Sequence, residues 1–136
     1  MTDFRNDGYC FVCGQSNPSG LRLKPEGRDG ACSLTWIPRR EHQGWEGIVH
    51  GGILSAVLDE VMAYSTMSLA GATATTSLRI EFKKPVLVGK PVEISAQVVS
   101  RRGRILDARA RLSQEGILKA EAEARFLAVP GEGGQG

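Results

Sequence analysis

The chain has few of the features that mark secreted, membrane or nucleic-acid-binding proteins. Its 136 residues include three cysteines, and this small, odd number argues against a disulfide framework. The net charge of +2 is too small to indicate a nucleic-acid surface. No apolar run approaches the roughly 20 residues that cross a bilayer, and the polar start lacks a signal-peptide stretch. We therefore expect a cytoplasmic protein with no nucleic-acid or membrane partner.

Two further kinds of chemistry lack their usual residues. The chain has only two histidines, His42 and His50, and no Gly-x-Ser-x-Gly elbow, which disfavours a serine triad. Cys10 and Cys13 form one Cys-x-x-Cys, but zinc wants four ligands, and Cys32 and His42 are the main remaining candidates. A thioredoxin-like role lacks its βαβ context. We expect reduced, buried thiols, with no metal and no cofactor.

What is present fits one domain over residues 9–129. A hydrophobic content of 41% is ordinary for a globular protein, and the length suffices for a core without metal or disulfide. Residues 1–8 are expected to be a flexible start, and the glycine-rich residues 130–136 a disordered tail.

One long helix is predicted over residues 52–69, with Gly71 placed to end it. Five apolar side chains share one side at 100° per residue and are expected to contact the core: Leu54, Leu58, Val61, Met62 and Leu69. A neighbouring face has almost no bulk: Gly52, Ser55, Ala56, Asp59, Ala63 and Thr66. A ligand or a partner subunit can approach such a face closely.

Alternating patterns predict strands on both sides of this helix. Short strands are expected at residues 21–23 and 31–37, and four longer ones at 75–83, 92–99, 105–113 and 118–129. The turn signals between the later strands are short, which favours antiparallel neighbours. Five or more strands beside one helix must curl over it, and the alanine-rich last strand leaves room. The predicted class is α+β.

The start of the helix carries residues suited to acyl-group chemistry. His50, Gly51 and Gly52 open it, and Asp59 follows two turns later. Backbone N–H groups in a first helical turn lack partners within the helix, and with the helix dipole they suit a carbonyl oxygen that gains negative charge. A thioester suits so small a site, because its thiol, with a pKa near 8.5, leaves without a strong acid.

These residues resemble the hotdog-fold thioesterases, specifically the PaaI-like acyl-CoA thioesterases. The matching segments are Cys10-Phe11-Val12-Cys13-Gly14, Asn17-Pro18, Gly20-Leu21, Gln43 to Gly52, Asp59-Glu60, Thr75, Phe82-Lys83-Lys84-Pro85 and Arg102-Gly103-Arg104. The resemblance implies a hotdog fold, a curved antiparallel sheet of five to six strands wrapped around one long central helix. It also implies a homodimer, or a dimer of dimers, with each active site between two subunits.

The resemblance further implies roles for individual residues. Asp59 would be the general base or nucleophile, and Gly51 the backbone donor that polarises the carbonyl. His50 would position that loop, and Thr75 of the partner subunit would hold the attacking water. The reaction implied is hydrolysis of an acyl-CoA thioester to the free acid and CoA.

Substrate contacts are expected from two places, the helix start and a later hairpin. Gly52 and Gln43 belong to the first, and the hairpin residues Arg102, Gly103 and Arg104 would lie near the phosphates of CoA. Many relatives carry asparagine where this chain has Gly44, and the Gln43 amide is an alternative. Two other functions remain open: a hydratase or dehydratase of acyl thioesters using His50 and Asp59, and a non-catalytic acyl-CoA binding module.

Overall fold

The computed structural model describes residues 3–131, which form six strands around one long helix. In chain order the elements are β1 (Glu26–Arg28), β2 (Ala31–Trp36), a 3-10 turn (Arg40–His42), α1 (Gly51–Ala70), β3 (Thr73–Phe82), β4 (Val92–Arg102), β5 (Ile105–Gln114) and β6 (Ile117–Ala128). The strands make one sheet in the order β1-β2-β4-β5-β6-β3, with every neighbouring pair antiparallel. This confirms the predicted α+β arrangement of five to six strands and one helix.

Helix α1 supplies much of the core. It extends one residue beyond the predicted 52–69 at each end, and Gly71, at φ +74°, ends it by donating its N–H to the Met67 carbonyl. Leu54, Leu58, Val61 and Met62 are buried as predicted. Leu69 was wrongly assigned to the core: it is 45% exposed, and its side chain lies against the β1–β2 turn at Gly30 near the surface.

By length and mean hydropathy alone, α1 is long and apolar enough to cross a membrane, although no such segment was expected from the sequence. Eight of its residues are buried, and the strands of the sheet pack against it. Two charged residues, Asp59 and Glu60, also interrupt its apolar sequence near the middle. In this structure α1 is therefore the core helix that packs against the sheet.

The long strands have the alternation that the sequence predicts. Inward-facing side chains of β4 and β6 are buried while their neighbours face outward, and the face of β6 towards the helix is built from Ala120, Ala122, Ala124 and Phe126. These alanines let the sheet approach the helix closely. The turn at Glu115 and Gly116 has φ of +53° and +76°, the left-handed pair typical of a tight hairpin.

Two predictions about strands were wrong. Residues 21–23 form no strand, because Arg22 has φ +54° and the Leu21 and Leu23 N–H groups donate to the carbonyls of Phe11 and Val12. Strand β3 also does not pair with β4, although the turn signal at Gly89 favours neighbours. It pairs with β6 at the far edge, because the nine residues 83–91 are long enough to cross between the two positions.

The two ends of the described chain meet. The Phe4 N–H donates to the Pro130 carbonyl at 3.1 Å, and Phe4 forms a parallel bridge with Gly131. The flexible start over 1–8 and the disordered tail over 130–136 stay predictions, and residues 1–2 and 132–136 lie outside the described residues.

One buried side chain makes three hydrogen bonds to the crossing segment. Gln114, at the end of β5, is 1% exposed. Its Nε2 donates to the carbonyls of Leu87 (2.9 Å) and Lys90 (3.0 Å), and its Oε1 accepts from the Leu87 N–H (2.9 Å). Gln114 thereby provides hydrogen-bond partners for backbone groups of Leu87 and Lys90, which lie outside the strands of the sheet.

We expect Gln114→Leu to lower the free energy of unfolding by about 2–4 kcal/mol, because it leaves buried backbone groups without partners. Urea unfolding followed by circular dichroism measures the change. Gln97→Leu, at an exposed position of β4, is the matched control and should change stability little. Equal losses in the two variants would contradict the role given to Gln114.

Candidate active site

The start of α1 leaves the Gly51 N–H available as a backbone donor. His50 caps the helix from an extended conformation (φ −60°, ψ 132°), and its Nδ1 accepts the Gly52 N–H at 2.8 Å. This bond leaves the proton of the neutral imidazole on Nε2. Gly51 is the first helical residue, so its N–H has no acceptor within the helix. Of the two glycines, Gly51 therefore keeps the free donor, and Gly52 uses its own in the cap.

The loop before the helix is held by its own hydrogen bonds. The Gln43 Oε1 accepts the Gly47 N–H at 3.1 Å, and the Gly44 N–H donates to the Ile48 carbonyl at 2.9 Å. The Gln43 amide oxygen is thus used within the turn. A Cβ at Gly44 would lie 3.3 Å from His50 Cδ2, so a side chain at this position would press on the imidazole.

The other histidine has a structural role. His42 is buried, and its Nδ1 accepts the Arg39 N–H at 3.0 Å while its ring lies 5.5 Å from that of Trp36. Burial, and then the nearby Arg39, lower the pKa of His42. Its carbonyl accepts the His50 N–H at 2.9 Å, so His42 supports the entry to α1.

Asp59 is held by a neighbouring strand. The Thr75 Oγ1 on β3 donates to the Asp59 Oδ1 at 2.8 Å within the same chain. Burial raises the pKa of Asp59, and the Thr75 hydrogen bond opposes that rise. A partly desolvated carboxylate of this kind is a better proton acceptor than a hydrated one. The resemblance implies that Thr75 acts at the site of the partner subunit. In this structure Thr75 contacts Asp59 of its own chain.

One chain does not bring Gly51 and Asp59 to a common point. Eight residues of helix separate them, a rise of about 12 Å, which is too far for both to contact one carbonyl group. Strand β3 runs antiparallel to the helix, with Thr75 beside Asp59, and a Cβ at Gly51 would lie 3.7 Å from Phe82 Cζ. Beside the helix start lies a cavity of about 430 Å³, lined by Gly44, Trp45, Val49, His50 and Gly51.

The arginine hairpin lies at the other end of the sheet. Gly103 has φ +60°, as its turn requires, and the Arg104 Nε donates to the Ala128 carbonyl at 3.2 Å. Ala128 pairs with Thr73 at the beginning of β3, whereas Gly51 lies near Phe82 at its end. Nine residues of strand separate these points by roughly 30 Å. The hairpin residues 102–104 are exposed and far from Gly51 of their own chain.

Sequence reasoning missed one cluster. Cys10 Sγ lies 3.7 and 3.9 Å from the two carboxylate oxygens of Glu60, and Cys13 joins this group. Burial raises the pKa of Glu60 and of the Cys13 thiol. The further ligands considered from the sequence, Cys32 and His42, are not part of the group. Only the wrapping of the N-terminal turn onto α1 brings Glu60 there, and no local pattern signals such a contact.

Comparison with known proteins agrees with this architecture. The family description "Thioesterase superfamily" matches residues 46–121. Acyl-coenzyme A thioesterase THEM4 of Bos taurus is 33% identical over 92 residues, covering 66% of this chain and 38% of that protein. This chain thus spans about two fifths of the length of the curated relatives that it matches.

Two solved structures show the same fold. A hypothetical thioesterase from Streptococcus pneumoniae TIGR4, solved with coenzyme A, has a TM-score of 0.74 at 17% identity, covering 80% of this chain and 85% of that one. The E. coli PaaI protein of the phenylacetic acid degradation operon has a TM-score of 0.73 at 19% identity, covering 77% of each chain. The hotdog fold inferred from the resemblance is confirmed. With a family match over more than half of its sequence, this chain belongs to the thioesterase superfamily.

Proposed function

We propose that this protein hydrolyses an acyl-CoA thioester to a free carboxylic acid and CoA. The observation that carries the proposal is that α1 presents two suitable groups. These are an N–H at Gly51 without an acceptor in the helix and a partly desolvated carboxylate at Asp59, held by Thr75. Relatives named as acyl-coenzyme A thioesterases, and a similar fold solved with coenzyme A, support the choice of substrate.

The proposed reaction needs no further group. A water oxygen attacks the carbonyl carbon while Asp59 accepts a proton from that water. The Gly51 N–H stabilises the oxyanion that forms, at the positive end of the helix dipole. The C–S bond then breaks, and the thiolate leaves with the electron pair and takes up the proton. If Asp59 acts as the nucleophile, a mixed anhydride forms first and water hydrolyses it.

The cap at His50 favours this reaction over hydration of an acyl thioester. Proton transfer at carbon by a histidine requires an imidazole nitrogen that is free to accept a proton. The His50 Nδ1 is used by the Gly52 N–H, which leaves an Nε2–H donor. We assign His50 the positioning of the Gly51 amide, and release of free thiol distinguishes the two reactions.

The same geometry supports a site that is shared between two subunits. Because about 12 Å of helix separates Gly51 from Asp59, the donor and the carboxylate at one thioester must come from different chains. Strand β3 offers the surface for pairing: its outer edge is unpaired within the described chain over ten residues. The strand contains no proline, and Leu78 and Phe82 are 40% and 53% exposed. We propose that two copies pair antiparallel along β3, as a homodimer that can assemble further into a dimer of dimers.

A two-fold axis between Leu78 and Arg79 would complete the site. Antiparallel pairing there sets Thr75 of the partner subunit opposite Phe82, whose ring lies beside Gly51. Asp59 of the partner subunit would then face Gly51 across a cleft. The Arg102–Arg104 hairpin of the partner would reach the same end of the sheet, where its charges suit CoA phosphates. Each dimer would hold two such sites.

We expect Gly51→Pro to lower turnover by roughly 100- to 1,000-fold, because proline removes the one N–H proposed to hold the oxyanion. Proline is well tolerated at the first helical position, and His50 already has the extended conformation that precedes proline. Thiol release from a panel of acyl-CoAs measures the effect. Gly51→Ala keeps the N–H, meets only ordinary contact with Phe82, and should retain most of the activity.

We expect Asp59→Asn to lower turnover at least about 100-fold while the protein stays folded. Burial raises the pKa of Asp59, so the wild type carries a destabilising charge above that pKa and none below the unfolded value of 3.8. The variant should therefore melt no lower than wild type at pH 8, and any advantage should shrink as the pH falls towards 4. Thermal unfolding across pH measures this.

Glu93→Gln, at an exposed position of β4, is the control for Asp59→Asn and should change neither rate nor melting temperature much. An Asp59→Asn variant as active as wild type would remove this carboxylate from the mechanism. A variant that melts much lower than wild type at pH 8 would show that the buried charge is stabilised by groups other than Thr75.

Mixing the two inactive variants tests the shared site. A mixed dimer of Gly51→Pro and Asp59→Asn chains has one site with an intact donor and an intact carboxylate, and one with neither. Random exchange makes half of all dimers mixed, so we expect recovery of about one quarter of wild-type activity. Native mass spectrometry reports the mixed dimers. Mixed dimers without activity would contradict the shared site.

A further inference from the structure

We propose that Cys10, Cys13 and Glu60 bind one zinc ion, at a site separate from the thioester chemistry. Their ligand atoms all lie within 4.8 Å of one another. Zinc binds thiolate sulfur at about 2.3 Å and carboxylate oxygen at about 2.0–2.2 Å, so sulfur and oxygen on one tetrahedral ion lie roughly 3.5 Å apart. The distances from Cys10 Sγ to Glu60 are 3.7 and 3.9 Å. The Cys10–Glu60 pair is thus within a few tenths of an ångström of the spacing that one zinc ion requires.

The turn that carries both cysteines is shaped for this arrangement. The Gly14 N–H donates to the Cys10 carbonyl at 2.9 Å, and a Cβ at Gly14 would collide with the Cys10 backbone. The Cys13 N–H points at Cys10 Sγ, 3.5 Å away, as a supporting bond to a ligand sulfur would. The Gln15 Nε2 donates to the Cys13 carbonyl at 2.9 Å and to the Leu23 carbonyl at 3.3 Å. These bonds fix the spacing of the two sulfurs.

The surroundings suit a soft cation with three protein ligands. Cys13 is 5% exposed, and Glu60 reaches the thiols from the middle of α1. Beside the cluster lies a cavity of about 370 Å³, whose lining includes Asn6, Asp7 and Tyr64, with room for a water as the fourth ligand. Thiolate ligands select zinc over magnesium or calcium. On binding, the two thiols lose their protons to solvent while Glu60 binds as the carboxylate.

Such an ion would fasten the N-terminal turn to the central helix. Cys10 and Glu60 are 50 residues apart in sequence, and Glu60 follows Asp59 directly. The expectation of no metal considered only cysteine and histidine ligands, and the Glu60 carboxylate is the third ligand that it did not include. A bond network through zinc would join residues 10–13 to the helix turn that carries the proposed catalytic acid.

Zinc titration of the full chain, in reductant and against a chromophoric chelator, tests the proposal without reference to turnover. We expect one ion per chain. Loss of a supporting group around a metal typically costs 10- to 100-fold in affinity, so Cys10→Ser and Cys13→Ser, which remove ligands, should cost at least about 100-fold. Glu60→Gln should also weaken binding. Cys32→Ser, at a buried thiol on β2, is the matched control and should bind as wild type does.

Cobalt substitution and thiol counting provide the independent readout. Cobalt should give the visible bands of a tetrahedral thiolate site in wild type and lose them in Cys10→Ser, which changes a partly exposed position. Zinc should protect Cys10, the partly exposed thiol, from reagent and raise the melting temperature. Failure of wild type to bind zinc would overturn the proposal. So would unchanged binding in Glu60→Gln, or an equal loss in Cys32→Ser.

Discussion

The rise of an α-helix sets the geometry on which the proposed chemistry depends. Gly51 and Asp59 lie on one helix, eight residues apart, and no bending of a buried helix brings them to a single atom. In the proposed reaction, therefore, the Gly51 N–H and the Asp59 carboxylate at one thioester come from two different chains. Strand β3 follows α1 in the opposite direction, with Thr75 beside the acid and Phe82 beside the donor. Antiparallel pairing of two β3 strands would thus bring the Gly51 end of one helix close to the Asp59 turn of the other.

Burial of α1 also explains why Asp59 is costly to the fold. The helix packs against the sheet, and its side chains range from fully buried leucine and valine to the small, partly buried residues around Asp59. A carboxylate in such a place loses hydration, and one hydrogen bond from Thr75 replaces only part of it. Stability and proton affinity are therefore linked at this residue, as is common at functional sites.

Most patterns that act over a few residues were read correctly from the sequence, with the alternation at residues 21–23 as the exception. The helix ends within one residue of its prediction because Gly71 and His50 act locally, and β4 to β6 follow from alternation and tight turns. Contacts that depend on the path of the chain were not. The position of β3 beyond β6 requires knowing that residues 83–91 cross, and the contacts that hold this segment, such as those of Gln114, join residues far apart in sequence. Glu60 meets Cys10 for the same reason, through a contact 50 residues apart.

The unpaired edge of β3 has a consequence for aggregation. A ten-residue strand with a free row of N–H and C=O groups can pair with many copies in a fibril as well as with a single partner. Arg79 and Glu81 place opposite charges near its middle, which slows indiscriminate stacking of copies. In the proposed dimer, any condition that separates the paired copies would expose this edge and raise the tendency to aggregate, most strongly at high protein concentration.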